Sequence, residues 1–177
     1  MRHLQAILIL PTTATVIIPT TILWFTGGPD FGWSRGWSLG WSYAFPVSLA
    51  PLLAGCALIC VGLTLLGKTI HLFATVGKGT LAPWDPTQKL VVQGPYRHVR
   101  NPMISGVWCV LLGESVLLGS GPVFVFALLF VTINHVYFIT SEEPGLIRRF
   151  GEEYLQYRKQ VPRWVPRLTL WEKEKSE

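Results

Sequence analysis

The sequence predicts an all-α fold, a polytopic membrane helical bundle with about four transmembrane helices. Two observations support this prediction. Only 14% of the 177 residues are charged, whereas soluble domains carry roughly 25%. The charge is also unevenly placed, because Leu4–Gly28 and Phe45–Gly67 contain no Asp, Glu, Lys or Arg. Uncharged apolar runs longer than about 18 residues are typical of bilayer spans. Disordered chains and soluble sheet folds are therefore excluded.

Four apolar segments are the predicted spans: Leu4–Phe25, Ala44–Gly67, Met103–Gly119 and Pro122–Thr140. We interpret the first as a retained span, kinked by its two prolines. The last two would each extend roughly 25–30 Å as helices, which is enough to cross the hydrocarbon core. Because only Ser120-Gly121 lies between them, they are expected to form a tight antiparallel hairpin.

The distribution of Lys and Arg predicts the orientation. Gly27–Tyr43 has one, Lys68–Pro102 has five and the tail after Thr140 has eight. Positive charge collects on the cytoplasmic side, so we expect both basic segments and both termini there, in a bacterial inner membrane or the endoplasmic reticulum. This accounts for the net charge of +5 without nucleic acid. Trp33, Trp37 and Trp41 are interpreted as interfacial anchors on the opposite side.

We expect a single domain over residues 1–177. Its parts are two N-terminal spans (1–67), a cytoplasmic loop rich in Gly and Pro (68–102), the hairpin (103–140) and a cytoplasmic helix with its tail (141–177). Apolar residues recur at three- and four-residue spacing, which predicts an amphipathic helix from Ser141 to Arg158. The three cysteines lie inside apolar runs, and neither a disulfide nor a metal site is expected.

Three groups of residues are candidates for chemistry: Gly94–Pro102, the pair Glu142-Glu143, and the set Glu114, Asn134 and His135. The first places cations and aromatics before a span, which suits an anionic ligand but also a basic topology flank. The paired acids predict a cation nearby, either an arginine or a ligand. The intramembrane set fits interhelical hydrogen bonds or catalysis.

Two motifs, "GPYRHVRNPMISG" and, some forty residues later, "EEPGLIRRFGEEYLQYRKQVPRWVP", resemble the isoprenylcysteine carboxyl methyltransferase and phospholipid methyltransferase superfamily. Its members are integral membrane enzymes that use S-adenosylmethionine. The resemblance covers roughly Gly77–Pro166. Gly77-Lys78-Gly79 is similar to a Gly-x-Gly element of phospholipid methyltransferases. Many members have His where this chain has Asn101, and Asn cannot become a cation or exchange a proton at neutral pH.

The resemblance implies that S-adenosylmethionine is bound by the loop before the third span and by the paired acids. The implied cofactor residues are Tyr96, Arg97, His98, Val99, Arg100, Asn101, Pro102, Glu142 and Glu143. Arg97, His98 and Glu143 are the expected catalytic residues. The residue types fit this cofactor, because it carries a carboxylate, an ammonium, a sulfonium and an adenine, which need cationic, anionic and aromatic partners.

The implied reaction transfers a methyl group to a lipophilic acceptor: a prenylcysteine-type carboxylate, a phospholipid amine or a thiol. A carboxylate needs only an arginine to orient it, whereas an amine or thiol needs Glu143 or His98 as a base. The sequence does not indicate which of these acceptors is used, and it does not indicate an oligomeric state. The alternatives are a membrane reductase of the sterol type that uses NADPH, and a non-enzymatic membrane scaffold or carrier.

Overall fold

A computed structural model describes residues 10–28, 49–77, 90–169 and 171, and within these ranges every regular element is helical. The predicted all-α fold is confirmed for this part of the chain. The beginning of the first predicted span, the linker with Trp33, Trp37 and Trp41, and Lys78-Gly79 of the Gly-x-Gly element lie outside the described residues.

Five helices form the described chain. They are α1 (Leu10–Thr26), α2 (Leu49–Leu72), α3 (Pro102–Leu117), α4 (Gly121–Tyr137) and α5 (Glu143–Gln160). Three stretches of the described residues are π-helical: Thr13–Ile17 lies within α1, Phe73–Gly77 follows α2, and Phe138–Glu142 joins α4 to α5. α2 therefore continues beyond Gly67, where the apolar run ends.

Two helical runs, Leu49–Val76 and Gly121–Gln160, are long and apolar enough to cross a membrane, and α1 and α3 are shorter apolar helices. Large apolar side chains on these runs face outward: Leu53 is 66% exposed and Ile133 is 64% exposed. A core helix of a soluble protein would bury such groups, at roughly 1.5–3 kcal/mol each. Length, composition and exposure together indicate a membrane protein.

The described residues belong to two compact units. The described residues within 8–64 and 106–133 form the apolar unit, whereas those within 65–105 and 134–177 form the polar unit. In the apolar unit α2 and α3 touch backbone to backbone. A Cβ added at Gly62 would lie 2.6 Å from the carbonyl oxygen of Gly106. Small residues permit this approach between apolar helices.

The turn between α3 and α4 consists of Leu118, Gly119 and Ser120. The Ser120 hydroxyl accepts a hydrogen bond from the backbone N–H of Val123 at 3.4 Å, as an N-cap serine does. A short connection was expected at this position, and the structure places the helix start at Gly121.

The polar unit has its own small core. Tyr154, Tyr157, Val161 and Trp171 are buried, and apolar side chains from the start of α5 pack against them. The three- and four-residue spacing in this segment predicted an amphipathic helix, and α5 is that helix. Its regular dihedral angles are interrupted at Gly151, with φ 53° and ψ −129°, so a bend separates the paired acids from the buried tyrosines.

Candidate functional site

The loop before α3 is a tight turn packed against the end of α2. Gly94–Arg97 form one turn of 3-10 helix, and Gly94 has φ +54°, a left-handed conformation that favours glycine. The Tyr96 ring is buried and packs edge-on against Phe73, with centroids 5.8 Å apart. The turn is therefore fixed by aromatic packing in the polar unit.

The carboxylate of Glu143 is the centre of an arginine cluster. Its Oε1 accepts hydrogen bonds from Arg100 Nη1 at 2.6 Å and from Arg163 Nη2 at 2.7 Å. Arg158 Nε lies 3.5 Å from Oε2. Glu143 is 3% exposed and Arg100 is 9% exposed. The sequence predicted a cation beside the paired acids, and Arg100 is that cation.

The protonation of Glu143 follows from these neighbours. Burial would raise the pKa of its carboxyl, but the Arg163 hydrogen bond and the Arg100, Arg163 and Arg158 charges outweigh burial and lower the pKa below its ordinary value. Glu143 therefore stays ionised near neutral pH. A carboxylate held by two guanidinium groups is a poor base and a good anchor.

Glu142 differs from its neighbour although it carries the same side chain. It lies at the end of the π-helical stretch and part of it is exposed. Protein atoms around its carboxyl raise the pKa to about 6, Arg149 opposes this shift and the charge of Glu143 adds to it. The two acids thus differ: Glu143 is an anchor that is charged near neutral pH, and Glu142 is an accessible group that titrates near pH 6.

The chain after α5 is bound along the loop before α3; we call this segment, Val161–Trp171, the strap. The Arg100 N–H donates to the Pro162 carbonyl at 2.9 Å, and the Arg167 N–H donates to the His98 carbonyl at 3.0 Å. The Trp171 N–H donates to the Arg97 carbonyl at 3.3 Å. These backbone hydrogen bonds attach the loop to the strap and hold the loop in place.

Two side chains of the loop also bind the strap. Arg97 Nε donates to the Trp171 carbonyl at 2.7 Å. His98 Nδ1 lies 2.8 Å from the Arg167 carbonyl. Since a carbonyl can only accept, Nδ1 carries the proton, and a neutral His98 keeps its lone pair on Nε2. That is the tautomer a base would use.

Tyrosines connect α5 to this loop. The Tyr157 hydroxyl donates to the Tyr96 carbonyl at 2.7 Å, and the Tyr154 ring lies 6.2 Å from the Tyr157 ring. Burial raises the pKa of Tyr157 above its ordinary value, chiefly by desolvation, so its hydroxyl remains a proton donor.

The Arg163 guanidinium lies 5.5 Å from the Phe138 ring centroid, a cation–π distance.

A cavity of about 540 Å³ lies in the polar unit, within the roughly 300–1,000 Å³ typical of small-molecule sites. Its walls combine aliphatic, amide, cationic, anionic and indole groups: Leu90, Val92, Gln93, Arg97, Glu153 and Trp171. Such a wall suits a ligand that carries both charges and an apolar part.

The predicted site residues are brought together, but they take different positions. Arg97, His98 and Arg100 interact with the strap or with Glu143, whereas Tyr96, Val99, Asn101 and Pro102 are buried and pack the turn into the helix start. Sequence reasoning did not assign Glu153, Trp171 or the role of Arg163. The cation–π pair and the strap contacts depend on the fold, so no local pattern indicated them.

The intramembrane set is divided between the two units. His135 belongs to the polar unit and its Nδ1 accepts a hydrogen bond from Trp164 Nε1 at 2.9 Å. Glu114 belongs to the apolar unit, where its Oε2 is buried without a hydrogen-bond partner among the described residues. The structure thus assigns His135 a local partner in the strap.

Comparison with known proteins covers the first motif and the beginning of the second. Residues 50–153 match the phospholipid methyltransferase family. Over 80 residues the chain is 42% identical to the protein-S-isoprenylcysteine O-methyltransferase of Schizosaccharomyces pombe. That alignment covers 44% of this chain and 33% of the yeast protein, so the match spans about a third of its relative. The superfamily resemblance is confirmed: the chain belongs to the phospholipid methyltransferase family.

Proposed function

We propose that this protein is an integral membrane methyltransferase that transfers a methyl group from S-adenosylmethionine to a lipophilic acceptor. The observation that carries the proposal is the ion pair of 2.6 Å between Arg100 and Glu143, residues 43 positions apart. It joins the two motifs of the family resemblance in one polar cluster. Family membership over residues 50–153 and the yeast relative support the same activity.

The residues fit the cofactor by their chemistry. Arg100 Nε is buried and has no hydrogen-bond partner among the described residues, which leaves a donor available inside the cluster. Arg97 supplies a further cation and Glu142 an accessible carboxylate. When bound, S-adenosylmethionine supplies an electrophilic methyl group on a sulfonium. We assign its binding to Arg97, His98, Arg100 and Glu142, with Tyr96, Val99, Asn101 and Pro102 holding the turn.

The chain's own contribution is positioning and control of protons. Glu143 anchors Arg100 and Arg163 and thereby fixes the loop against α5. Correct alignment and exclusion of water are worth up to roughly 7–11 kcal/mol of a barrier. An acceptor that must lose a proton would deliver it to His98 Nε2 or to Glu142, because the depressed pKa of Glu143 makes it the weaker base.

The acceptor is proposed to be a carboxylate at the end of a membrane-borne chain. The name of the yeast relative supports an O-methylated acceptor, and an ionised carboxylate needs no base. Phospholipid amines and thiols are the other acceptors to be tested.

The proposed topology has four spans, with the loop, α5, the strap and both termini in the cytoplasm. Two of these spans satisfy the length and hydropathy requirement in full, and five Lys or Arg in 68–102 together with eight after Thr140 favour a cytoplasmic polar unit. We retain a single functional domain over 1–177. The polar cofactor would enter from the cytosol and the acceptor from the bilayer.

The reductase and carrier alternatives are less well supported. A nicotinamide dinucleotide needs a glycine-rich phosphate cradle, and nothing in residues 90–169 supplies one beyond the single Gly94 turn. The family match favours the transferase. No observation favours a scaffold.

The test is calorimetric binding of S-adenosylhomocysteine to the full chain in lipid nanodiscs, followed by methyl-label transfer. Label should pass into a prenylcysteine analogue, and Arg97→Ala should abolish binding while the protein remains folded. Binding of NADPH in place of S-adenosylhomocysteine, or label transfer to neither prenylcysteine nor a total lipid extract, would overturn the proposal.

A further inference from the structure

The wall of the cavity beside the loop carries residues of opposite charge. Arg97 and Glu153 both line it. Arg97 is held at this wall, because its Nε donates to the Trp171 carbonyl at 2.7 Å. Glu153 follows the bend at Gly151 in α5. A cavity with a guanidinium and a carboxylate suits a zwitterion.

Trp171 forms another part of the wall, and its packing and hydrogen bonds hold it in place. It is 7% exposed and packs edge-on against Tyr157, with ring centroids 5.5 Å apart. Its backbone exchanges hydrogen bonds with Arg97. The strap therefore contributes Trp171 to the wall of the cavity, and this residue lies beyond the residues matched by the family.

We infer that this cavity binds the amino-acid end of the cofactor, with Glu153 facing its ammonium group, Arg97 facing its carboxylate and Trp171 closing the wall. The inference rests on the proposed function and goes beyond it by adding two binding residues. Glu153 is the better of the two to test, because it is exposed, whereas Trp171 is part of the core of the polar unit.

The chain offers a matched control. Glu152 precedes Glu153 on the same helix and is also exposed, but it does not line the cavity. Glu153→Gln and Glu152→Gln each remove one negative charge from α5. Glu153→Gln alters the lining of the cavity, whereas Glu152→Gln does not. Any long-range effect of charge on binding is therefore common to both variants.

The experiment measures two ligands, S-adenosylhomocysteine and methylthioadenosine, which lacks the amino-acid end, by calorimetry on the full chain in nanodiscs. Glu153→Gln should weaken S-adenosylhomocysteine binding on the order of tenfold, the worth of one charged contact. It should leave methylthioadenosine binding unchanged. Glu152→Gln should match the wild type with both ligands.

Each other outcome is decisive. Equal affinity of Glu153→Gln and wild type for S-adenosylhomocysteine, or an equal loss in both Glu variants, overturns the inference and leaves the proposed function standing. A loss that is the same for both ligands overturns the amino-acid assignment. Failure of the wild type to bind S-adenosylhomocysteine overturns the function and this inference together.

Trp171 gives a second, optical readout. Trp171→Phe retains an aromatic ring against Tyr157, so the core should remain packed. The change in tryptophan fluorescence on adding S-adenosylhomocysteine should be lost in this variant and retained in Trp24→Phe, since Trp24 is 82% exposed on α1. A fluorescence change that survives in Trp171→Phe would place the ligand elsewhere.

Discussion

Removal of the Glu143 carboxylate should destabilise the protein strongly, because it leaves arginines without a counter-charge. Arg100 is 9% exposed and Arg163 is 17% exposed, and both donate to the same Glu143 oxygen. Breaking a buried ion pair by deleting one partner costs about 3–5 kcal/mol. For a chain of this size each kcal/mol lowers the unfolding temperature by roughly 2–4 °C. Glu143→Ala should therefore lower it on the order of 10 °C.

The neighbouring acid is the control for this prediction. Glu142 is partly exposed, and a surface substitution away from buried networks changes stability by about 0.5 kcal/mol or less. Thermal unfolding of wild type, Glu142→Ala and Glu143→Ala in one nanodisc preparation provides the comparison. Equal shifts for the two variants would refute the reasoning, because they would show that the arginine cluster does not depend on Glu143.

A second variant, Glu143→Gln, tests the pH dependence of the stabilisation by Glu143. The pKa of Glu143 is lower in the folded protein than its ordinary value of 4.5, so the unfolded chain binds more protons in acid. The stabilisation is fully present above about pH 4.5 and is lost as the pH falls through the folded pKa. Wild type should lose stability there more steeply than Glu143→Gln. Parallel curves would contradict the assignment.

Three further predictions follow from single contacts. Because the pKa of Glu142 is raised to about 6, binding of a cationic cofactor should strengthen as the pH rises through 6, and calorimetry should show no such rise in Glu142→Gln. Gly62→Ala should cost about 1–3 kcal/mol in thermal unfolding, since its Cβ would meet the Gly106 carbonyl at 2.6 Å. Gly67→Ala, with nothing within 4 Å, should not destabilise and should gain up to about 1 kcal/mol of helix stability. Equal effects would contradict the packing. Trp164→Phe removes the donor to His135 and should cost about 0.5–1.5 kcal/mol, and an unchanged melting temperature would count against that bond.

The pattern of charge and hydropathy predicted the helices well. A long apolar run is stable in the hydrocarbon core of a bilayer only where its backbone N–H and C=O groups hydrogen-bond to one another. Composition therefore predicts that α2 and α4 are helical. The three- and four-residue spacing predicted α5, and its apolar face is the face that the core buries. The four-span count remains a prediction, because α1 and α3 are apolar but shorter than the two long runs.

The sequence alone determined the residue types of the site: cations and aromatics in one motif, paired acids in another, and the need for a cation beside those acids. Three features of the site are visible only in the folded chain. Arg163 and Arg100 donate to the same oxygen of Glu143. The strap binds the loop, and Glu153 and Trp171 line one cavity. Local spacing determines which side chains share a helix face. Contacts between residues 43 to 74 positions apart depend on how the whole chain closes, and this closure has no local signature.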